Sequence, residues 1–179
     1  MELCTIGHST RSIEEFQQIL LEADVQLVVD VRRLPGSRRH PQFDEDALRE
    51  SLAAAGIALD RLPELTGRRP VSRTVPFEVN ALWRNRSFHN YADHALSDGF
   101  RADLGRLRAL GRERRTAFMC SEAVWWRCHR RIIADHLLAA GDDVTHLMGA
   151  GRADAAELTD GAVVDDDGSV RYPRSDAAG

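Results

Sequence analysis

The chain has 179 residues, of which 43% are hydrophobic and 29% are charged, and its formal net charge is −4. These values are typical of one globular domain that buries a core without disulfides or metals. They disfavour nonspecific binding to nucleic acid, and because all 24 basic residues are arginine they exclude lysine-based catalysis.

The same composition indicates where the protein works. No apolar run is long enough to cross a membrane, and the first residues lack the basic and apolar segments of a secretory signal. Three cysteines do not form a paired disulfide framework, which favours a reducing compartment. We therefore expect a cytoplasmic protein with no membrane partner.

A first strand is predicted over residues 3–6, followed by Gly7, His8 and Ser9 and then by a helix that Ser12 caps. A glycine at this junction lets the backbone approach a ligand, and the side chains after it point from the strand tip. We therefore take His8 as a candidate catalytic residue and Ser9 as a candidate substrate-binding residue. The alternative is a tight turn with a helix cap, which explains Ser9 but not His8.

The second predicted strand, residues 25–31, is nearly continuous in branched apolar residues, which is typical of a parallel strand covered on both faces. Four arginines follow it, at Arg32, Arg33, Arg38 and Arg39. Guanidinium groups match the geometry of phosphates and carboxylates, so this loop indicates a site for a small anionic or phosphorylated ligand, bound by Arg32 and Arg33. A solvated basic loop that forms salt bridges is the alternative.

A helix over residues 44–55 and a short strand precede Glu64, which again falls just past a strand end and is a third candidate for substrate binding. Residues 68–88 contain prolines and arginines without periodicity, and so long a loop in a compact domain is usually functional or mobile. Two helices with apolar stripes are predicted next, over residues 88–96 and 100–110.

The fourth predicted strand, residues 116–120, leads into a helix over residues 127–140, and reactive side chains crowd the junction: Cys120, Glu122, Cys128, His129 and Arg130. The last three are expected in the first helical turn, where free N–H groups and the helix dipole favour a thiolate or a bound anion. Either cysteine would act as the nucleophile, with His129, Glu122 or His8 transferring protons. Arg130 would bind the substrate. A buried core cysteine is the plain alternative for Cys120.

A fifth strand over residues 144–148 and a small hairpin over residues 163–170 complete the pattern. The order predicts an α/β fold: a three-layer, Rossmann-like arrangement with a mostly parallel sheet of about five strands. We expect a single domain over residues 1–172 and a disordered tail over residues 173–179. The loops after the parallel strands would meet at the carboxyl edge of the sheet, where such folds bind ligands.

These motifs resemble those of a bacterial and archaeal family of uncharacterised proteins, the domain-of-unknown-function 488 family (DUF488). The resemblance rests on TIGHST at 5–10, DVRRLPGSRR at 30–39, LPEL at 62–65, and CSE at 120–122 with CHR at 128–130. It departs at Val124 and Trp125, where the family often has an acidic residue and a proline. The resemblance implies an α/β fold and no particular reaction.

The residues favour a cysteine-dependent hydrolase or transferase that binds a phosphorylated or nucleotide-like anion and needs no cofactor. A non-catalytic module is the first alternative, binding a nucleotide or, less favoured, nucleic acid with Trp83, Trp125 and Trp126 as stacking surfaces.

Two other roles for the cysteines stay open. Cys120, Cys128 and His129, with His8, could bind zinc or iron, but adjacent residues of a regular helix do not point the same way, which disfavours this site. A redox pair of Cys120 and Cys128 is disfavoured because their separation is far from the usual spacing.

Overall fold

The computed structural model describes residues 1–36 and 38–174, which fold around a six-stranded sheet. In chain order the strands are β1 Glu2–Gly7, β2 Leu27–Asp30, β3 Ala58–Arg61, β4 Thr116–Cys120, β5 Asp143–Gly149 and β6 Arg152–Ala155. Their spatial order is β3-β2-β4-β1-β5-β6, and all neighbours are parallel except β5 and β6. The predicted α/β fold with a mostly parallel sheet is confirmed.

Five helices cover both faces of the sheet: α1 Ile13–Glu22, α2 Glu45–Ala54, α3 Arg86–His94, α4 Asp98–Glu113 and α5 Arg130–Ala139. Buried residues of α1 and α2 belong to one apolar cluster, whereas those of α3, α4 and α5 belong to the other. Alternate strand residues supply the two clusters, as Leu3 and Cys4 of β1 illustrate. Four short 3₁₀ helices lie in the loops: Pro41–Phe43, Pro63–Leu65, Phe77–Asn80 and Trp125–Arg127.

The topology opens a crevice at the carboxyl end of β4. The chain leaves β1 and β2 toward α1 and α2 on one face, but leaves β4 toward α5 on the opposite face. Since β4 lies between β1 and β2, its loop diverges from the loops on both sides. Ligands of open α/β sheets bind at such switch points.

The end of the described chain packs onto this sheet-and-helix body. The predicted hairpin is present as β7 Val163–Val164 and β8 Val170–Arg171. Tyr172 is fully buried, and its hydroxyl donates to the Asp135 carboxylate at 2.7 Å. Of the predicted tail, residues 175–179 lie outside the described residues. Within the described ranges no helix is long and apolar enough to span a membrane.

The start of α5 and the strand β6 depart furthest from the prediction. The helix expected from residue 127 begins at Arg130, because residues 125–127 form a 3₁₀ turn and Cys128 is extended, with φ −131° and ψ 149°. The expectation that Cys128 and His129 lie inside the first turn of α5 is therefore wrong. Strand β6 was not predicted, since all four of its residues are exposed and its only apolar residues are two alanines.

Candidate functional site

Two thiols meet in the crevice at the end of β4. Cys120 is the last residue of β4, and Cys128 lies just before α5. Their Sγ atoms are 2.8 Å apart, and the two residues are only 4% and 3% exposed. The loop between them folds back over the sheet edge, which brings both sulfurs to one point.

A buried arginine supplies the positive charge beside the sulfurs. Arg130 is 1% exposed, and its Nε and backbone N donate to Cys128 Sγ at 3.4 and 3.5 Å. Its other nitrogens donate to the Thr5 hydroxyl at 3.0 Å and to the Glu122 carbonyl oxygen at 2.7 Å. No carboxylate in the described part of the chain forms an ion pair with Arg130. A buried guanidinium needs an anionic partner, and the Cys128 sulfur is placed to be that partner.

The two thiols consequently differ in acidity. Burial alone would raise the pKa of Cys128, but the hydrogen bond from Cys120 and the charge and N–H groups of Arg130 outweigh burial and lower this pKa to about 6. The pKa of Cys120 is raised well above its ordinary value, because its thiol is hydrogen-bonded to Cys128 and is buried. At neutral pH Cys128 is thus the thiolate and Cys120 the thiol that donates to it.

His129 directs a lone pair at the sulfurs. Its Nε2 lies 3.0 Å from the Val31 carbonyl oxygen, which can only accept, so Nε2 carries the proton and Nδ1 is free. Nδ1 lies 3.6 Å from Cys128 Sγ. Burial lowers the pKa of His129, which keeps the ring neutral. A Cβ at Gly67 would lie 2.8 Å from Nδ1, so only glycine leaves the ring in this position.

A polar network that the sequence did not predict holds Arg130 in place. Because the Thr5 hydroxyl accepts from Arg130, it donates its own hydrogen to His146 Nδ1 at 2.8 Å. Burial lowers the pKa of His146 to about 3, so the ring accepts this bond in its neutral form. The Trp125 ring stacks on His146 with centroids 4.4 Å apart. That stacking holds the loop before Cys128 against β5.

Gly7 has a different role from the one predicted. A Cβ at this position would lie 1.7 Å from the Glu122 carbonyl oxygen and 3.0 Å from the Arg130 guanidinium. The backbone therefore approaches the loop after β4 rather than a ligand. His8 and Ser9 bind the same loop, with backbone N–H groups that donate to the Cys120 and Ser121 carbonyl oxygens at 3.0 Å.

The residues after β2 form a second buried polar cluster. Arg32 binds the Asp30 carboxylate through Nε and Nη2, and its Nη1 donates to the Phe43 carbonyl oxygen at 2.8 Å. His8 Nδ1 donates to the Ser9 carbonyl oxygen, so His8 Nε2 accepts from Arg32 Nη1 at 3.4 Å. Burial lowers the pKa of His8 to about 4, which keeps it neutral. Most donors of Arg32 are thus occupied within the protein.

The sulfurs and the cluster of His8 and Arg32 open onto one cleft of about 800 Å³, whereas Arg130, Thr5 and His146 lie outside its lining. His8, Ser9, Arg32, Arg33, Glu122 and the two cysteines line it together with His129. Three further arginines that were not among the candidates also line it: Arg39, Arg68 and Arg127. Among the described residues, Glu122 is the only carboxylate residue of this lining, and it is exposed. In a chain of net charge −4, the cleft is locally positive.

Glu64 is not brought to this cleft. Its carboxylate lies 3.6 Å from both Arg69 and His94, and its backbone N–H donates to the Asp103 carboxylate. It therefore fixes the loop after β3 against α3 and α4. The same loop does reach the cleft further on, through Gly67 and Arg68.

Three side chains have the geometry to bind a metal ion. The ligand atoms of Cys120, Cys128 and His129 all lie within 4.8 Å of one another. Cys128 and His129 were expected to point apart because both were placed in a regular helix. That placement is wrong, since α5 begins only at Arg130. Sulfur and imidazole donors suit zinc or iron, and the His129 bond to a backbone carbonyl is common among metal-binding histidines.

The fold and the site define a class: α/β proteins with a thiol pair at the switch point of a parallel sheet. Within this class the chain belongs to the family described as Domain of unknown function DUF488, whose sequence model matches residues 12–137. The match spans both cysteines and begins after His8. Comparisons with the curated proteins and with the solved structures gave no match.

Proposed function

We propose that the protein is a thiol-dependent enzyme that acts on a small anionic substrate. Cys128 is the nucleophile, because it is the sulfur that carries the negative charge at neutral pH. His129 Nδ1, 3.6 Å from that sulfur, is the general base: it accepts the proton of the group that attacks the Cys128-bound intermediate and gives this proton to the group that leaves. Such chemistry requires reduced thiols, which fits the cytoplasmic location expected from the sequence.

The arginines of the cleft would bind the anion. Arg32 lines the cleft but most of its donors are occupied by Asp30, and Arg130 lies outside the lining with its donors on the sulfur and two oxygens. Arg33, Arg68 and Arg127 line the cleft itself and are the better placed groups. Phosphates and carboxylates both match their geometry.

One observation carries the proposal: a thiol whose pKa lies near 6 faces a cleft lined mainly by arginines. A thiolate that was merely structural would need no opening to solvent. An anion-binding module would need no thiolate.

Alkylation with two reagents of similar size and different charge tests this. Iodoacetate is anionic and iodoacetamide is neutral, and the modified cysteine is identified by peptide mapping at pH 7. We expect Cys128 to be the first residue modified, and the arginines to favour iodoacetate by concentrating anions in the cleft. Arg68→Gln and Arg127→Gln should each lower the iodoacetate-to-iodoacetamide rate ratio at least about threefold.

Arg101→Gln is the matched control, since Arg101 is an exposed arginine of α4 that does not line the cleft. Its rate ratio should equal that of the unaltered protein. Preferential modification of Cys4, or a rate ratio that no cleft arginine affects, would contradict the proposal.

A further inference from the structure

Eight sequence positions separate two sulfurs that are in contact in the fold. Each sulfur is held separately: the Glu122 N–H donates to Cys120 Sγ at 3.4 Å, and Arg130 donates to Cys128 Sγ at the same distance. The wide spacing in the sequence therefore does not keep the thiols apart, because the loop between them closes over Gly7.

Geometry makes this pair ready to form a bond. A disulfide joins sulfurs about 2.04 Å apart, so a shift of less than 1 Å from the observed 2.8 Å separation would be enough. Cys120 ends a strand in the middle of the sheet, whereas Cys128 lies in an irregular loop that can make this adjustment.

We propose that Cys120 and Cys128 form a dithiol redox centre, and that the substrate bound in the cleft is a small carboxylated disulfide. This inference rests on the proposed function, since it uses Cys128 as the nucleophile and the cleft arginines as the anion site. It adds a covalent step for Cys120, which in the proposed function only donates a hydrogen bond to the Cys128 sulfur.

The chemistry takes place in two exchanges. The Cys128 thiolate attacks one sulfur of the substrate R–S–S–R′, so that a Cys128–S–S–R bond forms and R′–S⁻ leaves. Cys120 then gives its proton to His129 Nδ1 and attacks the Cys128 sulfur, which expels R–S⁻ and closes the Cys120–Cys128 disulfide. The proton passes from His129 to the departing R–S⁻. The substrate is reduced by two electrons, the dithiol is oxidised by two, and a soluble thiol reductant restores the dithiol.

A second thiol in contact with the nucleophile favours this substrate class over an ester. Hydrolysis of a phosphate or carboxylate ester through Cys128 would leave Cys120 with no step to perform. In a mixed disulfide, by contrast, the Cys128 sulfur is itself the atom that a neighbouring thiol can attack. The cleft of about 800 Å³ accommodates such a molecule, and its arginines match the carboxylates.

Two small disulfides of opposite charge test the proposal. Dithiodiglycolate carries two carboxylates and cystamine carries two ammonium groups, and each is added to the reduced full-length protein while intact mass is followed. We expect the protein to lose two hydrogen atoms without retaining an adduct, and to react at least about tenfold faster with dithiodiglycolate. Peptide mapping should locate the new bond between Cys120 and Cys128.

Single substitutions separate the two exchanges. Cys120→Ser should stop at a stable adduct on Cys128, and Cys128→Ser should not react at the remaining sulfur, that of Cys120. Cys4→Ser is the control, because Cys4 lies in the apolar cluster on the opposite face of the sheet. It should behave as the unaltered protein does.

A lasting adduct on Cys128 of the unaltered protein would overturn the redox centre, even if iodoacetate alkylation had supported the proposed function. Equal rates with the two disulfides would overturn the substrate class. Purified protein that contains one zinc or iron per chain, bound by these sulfurs and unreactive until the metal is removed, would also overturn it.

Discussion

Two arginines lie almost fully buried at the carboxyl edge of the sheet, and they differ in the partner that balances their charge. Arg32, after β2, is 5% exposed and binds the Asp30 carboxylate at 2.7 Å. Arg130, at the start of α5, is 1% exposed and binds the Cys128 sulfur at 3.4 Å. The rest of each guanidinium is occupied by neutral groups of the protein.

The difference shows how one residue type stabilises a loop at one place and a thiolate at another. A carboxylate is already ionised at neutral pH, so the charge of Arg32 serves to hold the residues after β2. A thiol must lose its proton to become an anion, so the charge of Arg130 appears instead as a lowered pKa of Cys128. The proposed nucleophile therefore lies beside the buried arginine that has no carboxylate partner.

The largest expected effect is a loss of stability when Arg32 loses its carboxylate partner. Asp30→Asn leaves the Arg32 guanidinium buried without a counter-charge, which we expect to lower the free energy of unfolding by about 3–5 kcal/mol. Urea denaturation followed by circular dichroism measures this loss.

Glu45→Gln provides the comparison, because it removes the carboxylate partner of Arg49 in an exposed pair. It should cost about 0–1 kcal/mol. If the two substitutions cost the same, the Asp30–Arg32 pair is not the buried structural ion pair described above.

Sequence patterns predicted the sheet because its buried strands are nearly continuous in apolar residues, and they predicted α1 because Ser12 accepts from the Glu15 N–H as its cap. They could not predict the start of α5. The loop before that boundary packs through the stacking of Trp125 on His146 of β5, a tertiary contact that the local sequence does not reveal.

The polar network that holds Arg130 could not be predicted from the sequence either. Thr5 and His146 lie on different strands, and they are aligned only because β1 and β5 pair in that register. The candidates after the strand ends were predictable because parallel strands bring those ends to one edge. Glu64 departs from this pattern because a 3₁₀ turn directs it toward Arg69 and His94.

The effect of Arg130 on the acidity of Cys128 should be measurable as the pH dependence of alkylation. Since the pKa of Cys128 is about 6, its reaction with iodoacetamide should increase with pH around a midpoint near 6. Arg130→Gln removes the charge and the Nε donor, so the midpoint should rise to about 8.5 or above. Rates are measured by peptide mass spectrometry from pH 4.5 to about 9.5, a range that brackets both values.

Arg32→Gln is the matched variant for this experiment, since it removes the other buried guanidinium of the same edge. Its midpoint should stay near that of the unaltered protein, because Arg32 is paired with Asp30 and not with the sulfur. Equal shifts in the two variants would mean that general positive potential, and not the Arg130 contact, sets the acidity of Cys128.

The smallest expected effect is that of removing the Thr5 hydroxyl, an uncharged group that holds Arg130 in position. Thr5→Val keeps the shape of the side chain but leaves Arg130 Nη1 and His146 Nδ1 without their shared partner, which should cost about 1–3 kcal/mol of stability. The alkylation midpoint of Cys128 should stay below 7, because the charge and the Nε donor remain. Thr116→Val, on the neighbouring strand β4, is the control: that buried hydroxyl donates a single hydrogen bond, to the Arg114 carbonyl oxygen. A midpoint that rises as far with Thr5→Val as with Arg130→Gln would show that orientation, and not charge, makes the thiolate.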